Sequence, residues 1–150
     1  MSDDLLAPTE PGPAHDPASW ESFDTGPNVW RTQGWQRGPF AAGSASVLWE
    51  PGDEASFPSG DGRLVHGGLQ AAVLDAALAS ACFTVTGPEQ RWVTATLSVD
   101  LVRAARPGPL TATGTVVRRT RAVVFCAGTL VDAGGRLLAT ARATQVPARG

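Results

Sequence analysis

The chain has 150 residues, a net charge of −2 and a pI near 5.6. That length fits one domain with a proper core, and the charge balance argues against a nucleic-acid or anionic-membrane surface. All 12 basic residues are arginine and there is no tyrosine, so Schiff-base chemistry and any lysine-held cofactor are excluded.

Residues 1 to about 18 are acidic and rich in proline (Pro8, Pro11, Pro13, Pro17), and read as a mobile tail. They lack the charged-then-apolar pattern of a secretion signal. From Ser19 to Phe40 large aromatics (Trp20, Phe23, Trp30, Trp35, Phe40) alternate with Gly and Pro. Such side chains are costly to leave in water, so this arm is expected to cover the domain at residues 41–150 or a partner subunit. Ala41 to Glu50 shows partial alternation and reads as a first strand. Residues 51–62, PGDEASFPSGDG, read as a loop.

The stretch LVHGGLQAAVLDAALASACFTV (64–85) dominates the chain. After His66-Gly67-Gly68 it reads as a helix that is apolar all round and therefore buried, ending near Thr86-Gly87-Pro88. It is judged too short and too interrupted to span a bilayer. Asp75 sits in its middle with no polar face to belong to. An unpaired buried carboxylate costs several kcal/mol, roughly what one or two buried Leu side chains contribute. A lone helical Asp is usually solvated, but these surroundings point to chemistry instead.

RWVTATLSVDLVRAA follows, with Val93, Ala95, Leu97, Val99 and Leu101 on one face and Thr94, Thr96, Ser98 and Asp100 on the other. A Pro107-Gly108 turn, an Arg-Thr-Arg turn and Gly134-Gly135 then separate three more strand-like runs, spaced as hairpins. One long helix against an antiparallel sheet of about five strands, an α+β fold, buries both partners, and dimerisation would cover the sheet edge. Cys82 and Cys126 lie in apolar runs and read as reduced core thiols, which with the missing signal pattern leads us to expect a cytoplasmic protein, not a membrane one. No G-x-S-x-G elbow, dinucleotide fingerprint or P-loop occurs, and two histidines with two buried cysteines offer no metal site.

VHGGLQAAVLDAALASA resembles the His-Gly-Gly signature of hotdog-fold acyl-CoA thioesterases of the PaaI-like and THEM-like kind, in which an acidic residue follows nine positions after the His, as Asp75 follows His66. VTATLSVDLVRAARPGPLTATGTVVRR and Gly134-Gly135-Arg136-Leu137-Leu138-Ala139 are similar to that family's later strands. The likeness runs over about residues 41 to 147, with Gly60 where many relatives carry Asn. It implies a hotdog fold and acyl-CoA as substrate, with coenzyme A as part of the substrate and no separate cofactor. It also implies Asp75 as general base or nucleophile, the Gly67 N–H polarising the thioester carbonyl, and His66 shaping the adjoining loop. Thr94 falls where the family often has a Ser or Thr that holds water, although strand parity sets it opposite the apolar face. Arg118, Arg119 and Arg121 would meet the coenzyme A phosphates, with Arg103 and Arg106 as rivals.

Helix geometry adds a constraint of its own. Amides at a helix start suit an oxyanion, but Gly67 and Asp75 lie eight residues apart, about 12 Å along one helix. One carbonyl cannot use both from a single chain, so a homodimer with shared sites is expected, whether alone or as half of a dimer of dimers, a choice the sequence leaves open. The rival readings are a hotdog hydratase or dehydratase, for which His66 and Asp75 are badly spaced, and a non-catalytic acyl-CoA-binding module.

Overall fold

The computed structural model describes residues 13–19 and 28–149. Most of the acidic tail and the arm residues Trp20 and Phe23 lie outside the described residues. The later part of the expected tail is packed: the His15 N–H bonds to Thr84 O at 2.9 Å and Pro17 is buried.

A short helix, α1 (Val29–Gln33), starts at Asn28, whose side chain accepts from the Arg31 N–H, and stops at Gly34 in the left-handed conformation. Strands β1 (Gln36–Ala41) and β2 (Ser44–Trp49) form a hairpin. A small hairpin, β3 (Ser56–Ser59) with β4 (Gly62–Val65), precedes α2 (Gly67–Thr86). The chain closes with β5 (Trp92–Leu101), β6 (Leu110–Arg119), β7 (Val124–Asp132) and β8 (Leu137–Pro147). The main sheet is antiparallel, in the order β1-β2-β6-β7-β8-β5.

The sheet therefore has six strands rather than about five, because β1 is drawn from the aromatic arm. The loop expected over 51–62 also carries β3. Trp35 explains the first difference: it is buried and stacks edge-to-face on Trp30 (centroids 5.8 Å apart) and on Trp49 of β2 (6.5 Å). The arm is pinned to the core by these rings.

Helix α2 lies across the sheet, with Val73, Leu74, Ala77 and Leu78 fully buried against Val47, Ala112, Val124 and Leu130. Its 20 residues span about 30 Å, so it is long enough and apolar enough to cross a membrane by length and composition, contrary to the shorter segment expected. That apolar surface serves the core of the fold. Gly114 and Gly128 pair directly across β6 and β7 beneath the helix. A Cβ at Gly114 would collide with the Ala77 carbonyl oxygen, and one at Gly128 would stand 3.1 Å from Leu78 Cδ2. The helix backbone thus rests on glycine.

The sheet does not wrap α2 completely. Ala71, Ala72, Asp75, Ala76 and Ala79 are only half-buried, and form an open flank of small residues around one carboxylate. Beside it β5, paired with β8, is an edge strand among the described residues, with Leu97 and Leu101 at 40% and 52% exposure.

Candidate active site

Helix α2 starts where its sequence says it should. His66, extended at φ −60° and ψ 129°, is the N-cap, and its Nδ1 accepts the Gly68 N–H at 3.0 Å. The Leu69 and Gln70 amides turn to His66 O. Neither the helix nor its cap gives the Gly67 N–H an acceptor among the described residues, so it is the free donor of a positive helix end. The exposed His66 ring meets Phe57 edge-on at 6.5 Å. A Cβ at Gly67 would lie 2.6 Å from Leu101 Cδ1, the movable end of an exposed side chain.

Two turns along the same helix, Asp75 projects from the open flank. The Thr94 hydroxyl donates to Asp75 Oδ1 at 2.7 Å, while Oδ2 has no partner among the described residues. Thr94 is in turn within reach of the Gln145 carboxamide, with Nε2 donating to Thr94 Oγ1 at 3.0 Å and Oε1 at 3.2 Å. Gln145 is 1% exposed.

This cluster corrects the parity expected for β5. Thr94 pairs with Gln145, but Thr96 pairs with Thr144, so the register slips at Ala95. The bulge reverses the alternation. Thr94 therefore faces the helix on the same side as Leu97, Val99 and Leu101, whose partners Ala143, Ala141 and Ala139 are buried. Strict alternation had set Thr94 opposite them. Sequence reasoning also passed over Gln145. Its signal was the inward series Ala139, Ala141, Ala143, Gln145 on β8, where a long polar side chain takes the place of a small apolar one.

The arginines do not join the cluster. Arg119 Nη1 donates to Val85 O, so Arg119 helps to close the C-terminal end of α2. Arg118 precedes it at the end of β6, and Arg121 is exposed in the following turn. Arg119 pairs with Val124, Val124 with Gln145, and Gln145 with Thr94. Three strand spacings of about 4.8 Å each therefore separate Arg119 from Thr94. Arg103, Arg106 and Arg136 instead border a groove of about 330 Å³ between the β5–β6 and β7–β8 turns. This groove adjoins the helix start, since the Val65 N–H bonds to Ala105 O at 2.8 Å.

Both cysteines are buried and unpaired. Burial pushes the Cys82 thiol up to about 11, against a smaller lowering from its Thr86 hydrogen bond and Arg119. Burial and the nearby Cys82 push Cys126 up to about 12. Neither thiol is a nucleophile at neutral pH. Among the described residues no group of three or more His, Cys, Asp or Glu side chains could hold a metal ion.

An antiparallel sheet curved over one long helix, with a free amide at the helix start and a carboxylate on its open flank, defines a hotdog-fold protein of the thioester-hydrolysing class. Residues 62–139, more than half of the chain, match the thioesterase superfamily, and the chain belongs to that family. Among solved structures it is similar to S. sahachiroi AziG (27% identity over 83% of this chain and 98% of that one, TM-score 0.73). It is also similar to the E. coli PaaI protein from the phenylacetic acid degradation operon (20% identity, 87% and 91% covered, TM-score 0.75). A third is the thioesterase HI1161 of Haemophilus influenzae (16% identity, 81% and 83% covered, TM-score 0.74). The last two comparisons establish the shared fold. No curated protein matches the sequence.

Proposed function

We propose that the protein hydrolyses acyl-CoA thioesters to the free carboxylic acid and coenzyme A, in the cytoplasm, as a homodimer or a dimer of dimers. The observation that carries this reading is the half-buried Asp75 carboxylate, held at Oδ1 by Thr94 and open at Oδ2. The free Gly67 N–H is the complementary group, but it lies about 12 Å away along the same helix. The complete site would combine Gly67 of one protomer with the partner's Asp75, brought together where the flank of α2 and the β5 edge meet a second copy.

In this site the thioester carbonyl oxygen accepts the Gly67 N–H. A water on Asp75 Oδ2 attacks the carbonyl carbon and gives up its proton to the carboxylate, while the negative charge gathers on the carbonyl oxygen. Collapse breaks the C–S bond, and the Asp75 proton passes to the departing thiolate. Alternatively Asp75 attacks directly and water then hydrolyses the resulting anhydride. Label found in Asp75 after a single turnover in ¹⁸O-water identifies direct attack with water adding at the Asp75 carbonyl of the anhydride, since general-base hydrolysis labels the product acid alone. His66 shapes the entry by capping the helix. Thr94 orients the carboxylate, because its single proton is committed to Oδ1.

For the coenzyme A phosphates, Arg119 with its neighbours Arg118 and Arg121 lies at the C-terminal end of α2, and Arg103 and Arg106 border a groove that also holds the Arg136–Asp132 ion pair and reaches the helix start through the Val65–Ala105 bond. Charge favours both sets, and proximity to the oxyanion amide favours the second. A hydrolysis screen over short, long and aromatic acyl-CoA thioesters tests the function itself. Turnover of at least one supports the reading, and a silent panel with a folded protein overturns it.

A further inference from the structure

Gln145 has no evident reason to be where it is. β8 presents Ala139, Ala141 and Ala143 to the core, and the next inward position carries a carboxamide at 1% exposure. Burying an amide is costly unless its bonds are made, and among the described residues this one makes its contacts to a single hydroxyl. Both Nε2 (3.0 Å) and Oε1 (3.2 Å) reach Thr94 Oγ1. A hydroxyl has one proton to give, and Thr94 also has Asp75 Oδ1 at 2.7 Å. The shorter bond, to an ionised carboxylate, wins it. Nε2–H then donates to the hydroxyl oxygen, polarising it and fixing the direction of its proton.

We propose that Gln145 is the positioning residue of the site: through Thr94 it fixes the Asp75 carboxylate with Oδ2 turned to the open flank. The inference rests on the thioesterase reading above. It explains why both ends of the amide address one hydroxyl. When Asp75 is ionised, Thr94 gives its proton to Oδ1 and accepts from Nε2. When Asp75 has taken a proton from water, Oδ1 is a poorer acceptor, and Oε1 offers the Thr94 proton a second place. In both states one Nε2–H stays on the Thr94 oxygen, so the carboxylate can turn over without disturbing its support.

The test is a double-mutant cycle on the full-length protein with whichever acyl-CoA the wild type hydrolyses. Gln145→Met keeps the volume and removes both polar ends. It is expected to lower kcat several-fold, up to about tenfold, with KM within about twofold, since the bond removed, amide to neutral hydroxyl, carries that order of effect. In a Thr94→Val background the same change is expected to be silent, because the amide acts only through the hydroxyl. Should Gln145→Met fold poorly, Thr94→Val/Gln145→Leu removes the polar pair together and is compared with Thr94→Val alone, with equal kcat expected. Unchanged kcat in Gln145→Met, or an equal loss with and without the Thr94 hydroxyl, overturns the inference while leaving the thioesterase reading intact. A wild type silent on every thioester overturns both.

Discussion

The Thr94 hydroxyl stands 2.7 Å from Asp75 Oδ1, although the sequence alternation of β5 sets Thr94 on the opposite face from the apolar residues that cover α2. One extra residue in the strand, Ala95, brings the two together. A β-bulge re-aims a side chain without changing the rest of the strand, and here it delivers a hydroxyl to the one carboxylate on the helix flank.

Asp75→Asn is expected to lower kcat by orders of magnitude while leaving the fold and oligomer unchanged, since the amide is nearly isosteric and cannot take the water's proton. Asp75→Ala is expected to melt close to the wild type or above it, because a half-buried carboxylate kept for chemistry adds little to stability. Near-normal turnover of Asp75→Asn, or marked unfolding of Asp75→Ala, would assign the residue a structural role.

At Thr94 the hydroxyl is what matters. Thr94→Ser retains it and should stay within several-fold of wild-type kcat, whereas Thr94→Val should lose about tenfold or more at similar KM. Equal activity of the two variants would remove Thr94 from the site.

Gly114→Ala tests the packing of α2. Its Cβ would meet the Ala77 carbonyl oxygen, part of a rigid backbone, so helix and sheet must separate. A loss of about 1–3 kcal/mol is expected, seen as a melting temperature lower by several degrees. An unchanged melting curve would mean that the helix sits further from the sheet.

The two thiols make a clean alkaline signature. The chain has no Lys and no Tyr, so Cys82 and Cys126 are almost the only groups that titrate between pH 9 and 12. Their folded values, about 11 and about 12, lie above the ordinary 9.0. The folded state therefore holds more protons than the unfolded state in that window, and stability falls as pH rises from 9 towards 12. Urea denaturation across this range should show the decline, and Cys82→Ala/Cys126→Ala should flatten it. Both thiols should resist a thiol reagent at pH 8 until the protein unfolds.

Much of this architecture was legible. Hydrophobic run length and the Gly87-Pro88 breaker marked α2 within a residue or two, and the Pro-Gly and Gly-Gly turns separated β5, β6, β7 and β8. Asp75 stood out because the apolar run around it gives it no polar face, and in the structure it lies on the half-buried flank of α2. What escaped depends on partners distant in sequence. The bulge at Ala95 is invisible to period-two reasoning, since Leu97 and Leu101 alternate correctly on either reading. β1 lay hidden among Trp, Gly and Pro because its place is fixed by Trp35 packing on Trp49. Nothing local to the Arg118–Arg121 run indicates that the Arg119 guanidinium donates to Val85 O, 34 residues away.

The most direct test of the shared site is subunit mixing. Gly67→Pro removes the oxyanion N–H. Proline is favoured at a first helical position, His66 already has the extended backbone that proline asks of its predecessor, and only the flexible end of Leu101 must move. Gly67→Pro and Asp75→Asn chains should each be inactive alone. Unfolded together and refolded as a 1:1 mixture, they should regain about a quarter of wild-type turnover, because half of the dimers carry one intact site of two. A mixture as inactive as its components would contradict a site built from both subunits.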